Sequence, residues 1–243
     1  MTQVKIRLDQ ALVHQNLVPS RSQAESWIKL GKVTVNGRIV NKPGHFVFPE
    51  AVLELTAPEQ YVSRAGLKLA SVAELLNLDF KDKVILDVGS STGGFTDFAL
   101  KNGAKKVYAV DVGTDQLHPS LQGNKQIELH EKTDIRDFSM ENEKPDIVVM
   151  DVSFISLREI LPHIAANLSG VNTQVVAMLK PQFEAGRQQT NKGVIKNDSV
   201  RRQILKDFEL WAKQYFIIQD KRDSDVAGAK GNQERFYLLK VSK

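Results

Sequence analysis

From residue 84 onward, short solid runs of apolar residues alternate with stretches in which apolar positions recur every three or four residues. The solid runs predict strands near 84–88, 107–111, 127–130, 147–151, 173–179, 216–220 and 235–241. The periodic stretches predict helices near 95–102, 157–168 and 198–214, and one more from Ala65 to Leu76 with Leu69, Val72, Ala73 and Leu76 on one face. Strands buried on both faces with helices between them imply a parallel, doubly wound sheet. The first ~57 residues have shorter elements. A small amphipathic helix carries Leu8, Ala11 and Leu12; Ser20-Arg-Ser-Gln23 is a capping-box pattern before a second helix with Ala24, Trp27 and Ile28, ended by Gly31. Val33 to Val40 alternates around Asn36-Gly37, which predicts a hairpin with a type I′ turn. Strand-like runs follow at 46–48 and 52–55, and Pro58 marks a linker. The expected domains are 1–57 and 64–243, joined by 58–63.

The first strand runs directly into Gly89-Ser-Ser-Thr-Gly-Gly94, and Phe95 resumes a helical pattern. Glycines at such a turn adopt positive φ without a Cβ penalty and admit a close ligand, and the helix behind them aims its N-terminus at it. Asp111, at the end of the next strand, stands about 20 residues on, the spacing of an acid that holds a ribose. A dinucleotide loop needs a second glycine where Ser91 stands, and no G-x-x-x-x-G-K-[ST] occurs. Asp87, just before the turn, would repel a phosphate and suit a cation. S-adenosylmethionine combines a ribose and an adenine with an ammonium and a sulfonium, and it is the cofactor expected.

Composition narrows the classes only a little. Of 243 residues, 42% are hydrophobic and 26% charged, as in a folded soluble protein. No apolar run is long enough to span a bilayer and no leader pattern opens the chain, so a cytoplasmic, non-membrane protein is expected. There is no cysteine, and the 5 histidines are scattered, so no metal site is expected. A net charge of +4 permits an anionic partner without demanding one.

Three resemblances sharpen the reading. Arg7-Leu-Asp9, Ser20-Arg21, Ala24, Ile28, Gly31 to Gly37 and Lys42-Pro43 resemble the S4 RNA-binding domain. It implies an RNA surface drawing on Arg7, Ser20, Arg21, Lys29, Lys32, Arg38 and Lys42, although surface lysines and arginines elsewhere are mostly solubilising. The segments 84–96, Asp151-Val-Ser-Phe154, Lys180-Pro-Gln-Phe-Glu184 and Gly231-Asn-Gln-Glu234 are similar to the FtsJ-like ribose 2′-O-methyltransferases. That family's Lys–Asp–Lys–Glu tetrad maps onto Lys68, Asp151, Lys180 and Glu234. The two domains together, with Ser63 to Lys68 and Tyr108 to Gly113, resemble the TlyA family of rRNA cytidine-2′-O-methyltransferases, once labelled haemolysin A. The implied fold is α/β: a Rossmann-like S-adenosylmethionine-dependent methyltransferase with a seven-stranded, mostly parallel sheet whose last strand is antiparallel, and a small N-terminal α+β S4 domain. The implied cofactor set is Asp87, Gly89, Ser90, Ser91, Gly93, Gly94, Phe95, Asp111, Val112, Asp134, Ile135 and Asp151, and the partners are rRNA or ribosomal subunits. Asp134 departs from the family's usual Asn, and Asp225 from a usual Pro.

Lys180 and Asp151 follow strand ends, where ligands of such sheets bind. A ribose hydroxyl is a poor nucleophile and needs a base or a firmly oriented lone pair. Either Lys180 or Asp151 serves as proton acceptor; the sequence leaves both open. Lys68 would stabilise charge growing on the oxygen, and Glu234 would orient a lysine. Phe154 and Phe183 are candidates to stack on a flipped cytosine, with core packing as the equal alternative. Arg64, Arg187, Lys192, Lys196, Arg201 and Arg202 are candidate phosphate contacts, against a merely solvated helix start. The absence of further terminal segments resembles family members that act on the large subunit. Rival classes are a non-catalytic RNA-binding assembly factor and, disfavoured by ordinary amphipathic helices, a membrane-lytic protein. Oligomeric state is open.

Overall fold

All five residues of the strand Val84–Val88 are buried, as a solid Val-Ile-Leu run next to two parallel neighbours requires. The computed structural model describes residues 5–18, 20–29, 31–56, 61–140, 143–185, 193–195, 197–228 and 231–242. The chain divides into two units, Met1–Arg64 and Ala65–Lys243. Of the expected linker, 58–60 lie outside the described residues.

The first unit holds β1 (Ile6–Arg7), α1 (Leu8–His14), α2 (Arg21–Lys29), β2 (Val33–Val35), β3 (Arg38–Ile39), β4 (Phe46–Val47) and β5 (Leu53–Leu55). Strands β1 and β4 form an antiparallel ribbon, and β3-β2-β5 a three-stranded sheet. Asn36 at φ 50 and Gly37 at φ 75 make the expected left-handed hairpin turn. Helix α2 closes as a Schellman motif: Gly31, at φ 68, donates its N–H to the Ile28 carbonyl while Lys32 donates to that of Trp27. Leu8, Leu12, Ala24, Trp27 and Ile28 fill the small core. Asp9 is fully buried, receives both arms of the Arg7 fork at 2.9 and 2.8 Å, and receives Arg21 at 3.0 Å. Burial opposes ionisation of Asp9, and the two guanidiniums outweigh it and hold its pKa below the usual value.

The second unit contains α3 (Arg64–Ala73), β6 (Val84–Val88), α4 (Gly94–Lys101), β7 (Lys106–Val110), β8 (Ile127–His130), β9 (Ile147–Met150), α5 (Leu161–His163), β10 (Gln174–Leu179), α6 (Pro181–Glu184), α7 (Asp198–Ala212), β11 (Phe216–Asp223) and β12 (Arg235–Val241). Its sheet runs β11-β12-β10-β9-β6-β7-β8. The pairs β8–β7, β7–β6, β6–β9 and β9–β10 are parallel, and β12 is antiparallel to both neighbours. Strand order reverses between β6 and β9, so their carboxyl ends border the crevice where ligands of such sheets bind.

The predicted strands lie within a few residues of the observed ones, but the single helix expected over 157–168 is broken. A 3₁₀ turn (Leu157–Glu159), the short α5 and a π turn (Ile164–Leu168) replace it. Pro162 explains the break, since its ring has no N–H and would strike the carbonyl four residues back in a continuous helix.

Candidate active site

Past β6 the backbone turns through Gly89 (φ 77), Ser91 (φ 46) and Gly93 (φ 86), and α4 begins at Gly94. The Asp111 carboxylate ties this turn to the end of β7: it accepts the Ser91 N–H at 2.8 Å and the Gly113 N–H at 2.7 Å. Between the ends of β6, β7 and β9 lies a cavity of about 360 Å³, bordered by Gly89, Asp111, Val112, Asp134, Ile135 and Asp151 among others. Apolar walls with three aspartates at the rim suit a flat base on a sugar. Asp134 is bound by Arg136 through both side-chain arms and the backbone N–H, and these bonds hold its pKa at about 2, so it is an ionised acceptor at neutral pH.

A smaller cavity of about 140 Å³ adjoins the first, sharing Gly89, Ser91, Asp151 and Ser153 with it, and adds Asp87, Ser90, Phe95 and Lys180. Asp87 is buried, and Thr96 donates its hydroxyl to one oxygen at 2.6 Å. The other oxygen, Oδ1, is buried without a hydrogen-bond partner, as is Ser90 Oγ. Burial raises the Asp87 pKa to about 7; the Thr96 bond opposes the rise and the charge of Asp151 adds to it. A buried acceptor and an unpaired hydroxyl in one small cavity fit the ammonium at the amino-acid end of S-adenosylmethionine, and the larger cavity fits its nucleoside.

The glycines of the turn divide their labour differently from the expectation. Gly89 lines both cavities, whereas Gly93 and Gly94 line neither. A Cβ on Gly93 would lie 2.5 Å from Leu121 and 2.8 Å from Leu117, so this glycine admits packing leucines and a left-handed backbone. Gly93→Val is expected to cost about 3 kcal/mol of stability, the sum of left-handed strain and overpacking. Urea denaturation measures it, and a midpoint equal to wild type refutes the account.

Four charges meet at the carboxyl edge beyond these cavities. Lys180, just after β10, contacts Asp151 Oδ1 at 2.6 Å and donates to Ser153 Oγ at 2.7 Å. Lys68, on α3, contacts Glu234 Oε2 at 2.5 Å with both side chains buried. The β10–β12 register pairs Leu179 with Arg235, which sets Glu234 across from Lys180. All four side chains are at least half-buried, and Asp151 and Lys180 face the smaller cavity. The fold thus sorts the predicted tetrad into two ion pairs.

The FtsJ-like methyltransferase model matches residues 61–241, and the S4 domain model matches 6–53. The chain belongs to the FtsJ-like methyltransferases. It is 44% identical to the 23S rRNA (cytidine-2′-O)-methyltransferase TlyA of Campylobacter jejuni over 74% of this chain and 70% of the relative. It is 36% identical to the 16S/23S rRNA (cytidine-2′-O)-methyltransferase TlyA of Mycobacterium tuberculosis, over 98% and 90%. A solved Streptococcus thermophilus structure bearing a hemolysin name superposes with a TM-score of 0.74 at 37% identity, over 100% of this chain and 90% of that one. Among the described residues no helix is long and apolar enough to cross a membrane.

Other groups of this methyltransferase frame the edge. Phe154 is 91% exposed and sits at φ 67, a costly conformation for an aromatic residue. Its ring lies 5.2 Å from that of the half-buried Phe183, so neither is simply core. Glu184 holds the two rings' segments together: it accepts the Ser156 hydroxyl at 2.6 Å and the Leu157 N–H at 2.7 Å, and burial raises its pKa. Ser153, Glu184 and Gln116, which accepts the Ser91 hydroxyl at 2.9 Å, carried no role in the sequence reading.

The basic candidates fare unevenly. Ser20, Lys29, Lys32, Arg38 and Lys42 are exposed, Arg64 is half-buried, and Arg7 and Arg21 are partly committed to Asp9. Arg201 bonds Asp223 at 2.7 Å and the Gln233 carbonyl at 3.2 Å, which removes it from the phosphate candidates and gives it a structural job. Arg187, Lys192 and Lys196 lie outside the described residues. Asp225, the departure from Pro, is exposed; the turn is kept by Ser224, whose hydroxyl accepts the Val226 N–H at 3.1 Å.

Proposed function

We propose that this chain transfers a methyl group from S-adenosylmethionine to the ribose 2′-hydroxyl of a cytidine in rRNA, with large-subunit rRNA as the substrate and the cytoplasm as the compartment. The observation that carries the reading is the Lys180–Asp151 pair at the junction of the two cavities. When bound, the cofactor supplies an electrophilic methyl on a sulfonium. Asp111 holds its ribose, Asp134 the adenine amino group, and Asp87 with Ser90 the amino-acid end. Lys180 ion-pairs with Asp151 and donates one N–H to Ser153, and its ammonium holds the substrate's 2′-oxygen with a remaining N–H. Asp151 then accepts the hydroxyl proton. Lys68 and Glu234 stand behind as a buried pair that keeps Lys180 in register and offsets negative charge on the oxygen. Phe154, held exposed at strain, stacks on the extruded cytosine with Phe183 beneath it. The exposed bases of the first unit dock the surrounding RNA through its phosphates.

Purified protein with tritiated cofactor and unmodified ribosomal subunits is expected to label one or a few cytidines with alkali-resistant 2′-O-methyl marks. Labelled protein in place of RNA, or marks on a base nitrogen or carbon, would overturn the reading.

A further inference from the structure

The ribbon β1–β4 exposes two aromatic rings on one face. Phe46 is 59% exposed and Phe48 43%, while Val47 between them is 3% exposed, so both phenyl groups point outward from the same side of the strand. Across the ribbon Arg7 pairs with Phe46. Lys5 comes next to Phe48, with its ammonium 4.4 Å from the ring centroid. The face is a small checkerboard of two rings and two cations. A protein–protein patch would be depleted of lysine at its centre. Rings interleaved with cations match a nucleic-acid strand, whose bases stack on aromatic faces while its phosphates meet Lys and Arg. Nearby exposed Lys42 and His45 extend the basic margin, Asp9 is buried beneath Arg7 and Arg21, and the charge of Glu25 also acts on Arg7.

We propose that Phe46 and Phe48, with Lys5 and Arg7, form a stacking platform that binds unpaired nucleotides of the substrate RNA. It rests on the reading of the first unit as the RNA-docking module, and adds that this module reads unpaired bases as well as phosphates. A structured RNA with an exposed loop is then preferred over a plain duplex, because paired bases have no free face to offer.

The full chain is titrated with two fluorescent RNAs, a blunt duplex and a hairpin with the same stem closed by an unpaired loop. Wild type is expected to favour the hairpin, and the double variant Phe46→Ala/Phe48→Ala to lose about tenfold or more on the hairpin while duplex binding holds. Phe46→Trp/Phe48→Trp is expected to keep the preference, and Ile39→Ala, a still more exposed apolar position on the other sheet, to leave it unchanged. Hairpin binding by the double alanine variant equal to wild type, or an equal loss on both RNAs, overturns the platform while RNA docking stands. A change of oligomeric state by light scattering in the alanine variant also overturns it, since the face would then pack a second copy. Failure of wild type to bind either RNA instead defeats the docking reading itself.

Discussion

Methyl transfer by Lys180→Ala is expected to fall about 10²–10³-fold, the range of losses when a preorganised donor to the reacting oxygen is removed. Cofactor affinity is expected to change little. Lys180 reaches only the edge of the smaller cavity, whereas the larger one, which takes the nucleoside, is bordered by other residues. The variant leaves Asp151 half-buried with its ion-pair partner gone, so its melting temperature is measured alongside. Isothermal titration with S-adenosylhomocysteine beside a tritiated-methyl assay separates binding from chemistry. Full turnover removes Lys180 from the mechanism; a parallel loss of cofactor binding makes it a structural residue.

Asp87 gives the second large effect, and its sign can be worked out. In the folded protein its pKa stands at about 7, against an ordinary aspartate near 4, because burial penalises the charge. A cationic ligand favours the ionised form, so binding expels a proton wherever Asp87 was still protonated. Affinity for S-adenosylmethionine should therefore rise about tenfold per pH unit up to about 7 and level off above it. Asp87→Asn should flatten that profile and bind more weakly at pH 8. The same shift acts on stability without ligand. Raised above its unfolded value, the carboxyl contributes most below pH ~4 and loses that contribution as pH rises through about 7. The melting temperature of wild type relative to Asp87→Asn should fall across that window. An affinity for the cofactor independent of pH between 5 and 8 would place Asp87 away from the cation.

Most of the sheet was legible because its strands are solid apolar runs such as Ile147 to Met150, which have no alternative but burial on both faces. The same logic made the helix over 157–168 misleading: its apolar period is genuine, yet one Pro162 outweighs eleven agreeable neighbours. The four charges at the edge were legible as types at strand ends. Their partnership was not, because which lysine meets which acid depends on the β10–β12 register, a contact between residues some 55 positions apart. Ser153 and Glu184 stayed silent for a related reason. Short polar side chains acquire meaning only when a distant segment, here Lys180 or Ser156 with Leu157, is brought against them. The strain at Phe154 is likewise a property of backbone angles that composition does not announce.

Strand β12 has a consequence for how the molecule comes into being. It is made after both of its neighbours, yet it lies between them, so β10 and β11 wait for it with open edges. A nascent chain that ends before residue 234 presents Val175 to Leu179 as an unpaired apolar border, a ready template for wrong association. It also lacks the carboxylate that neutralises Lys68. Translation must therefore finish before the sheet can zip shut, and a truncated product is both sticky and inert.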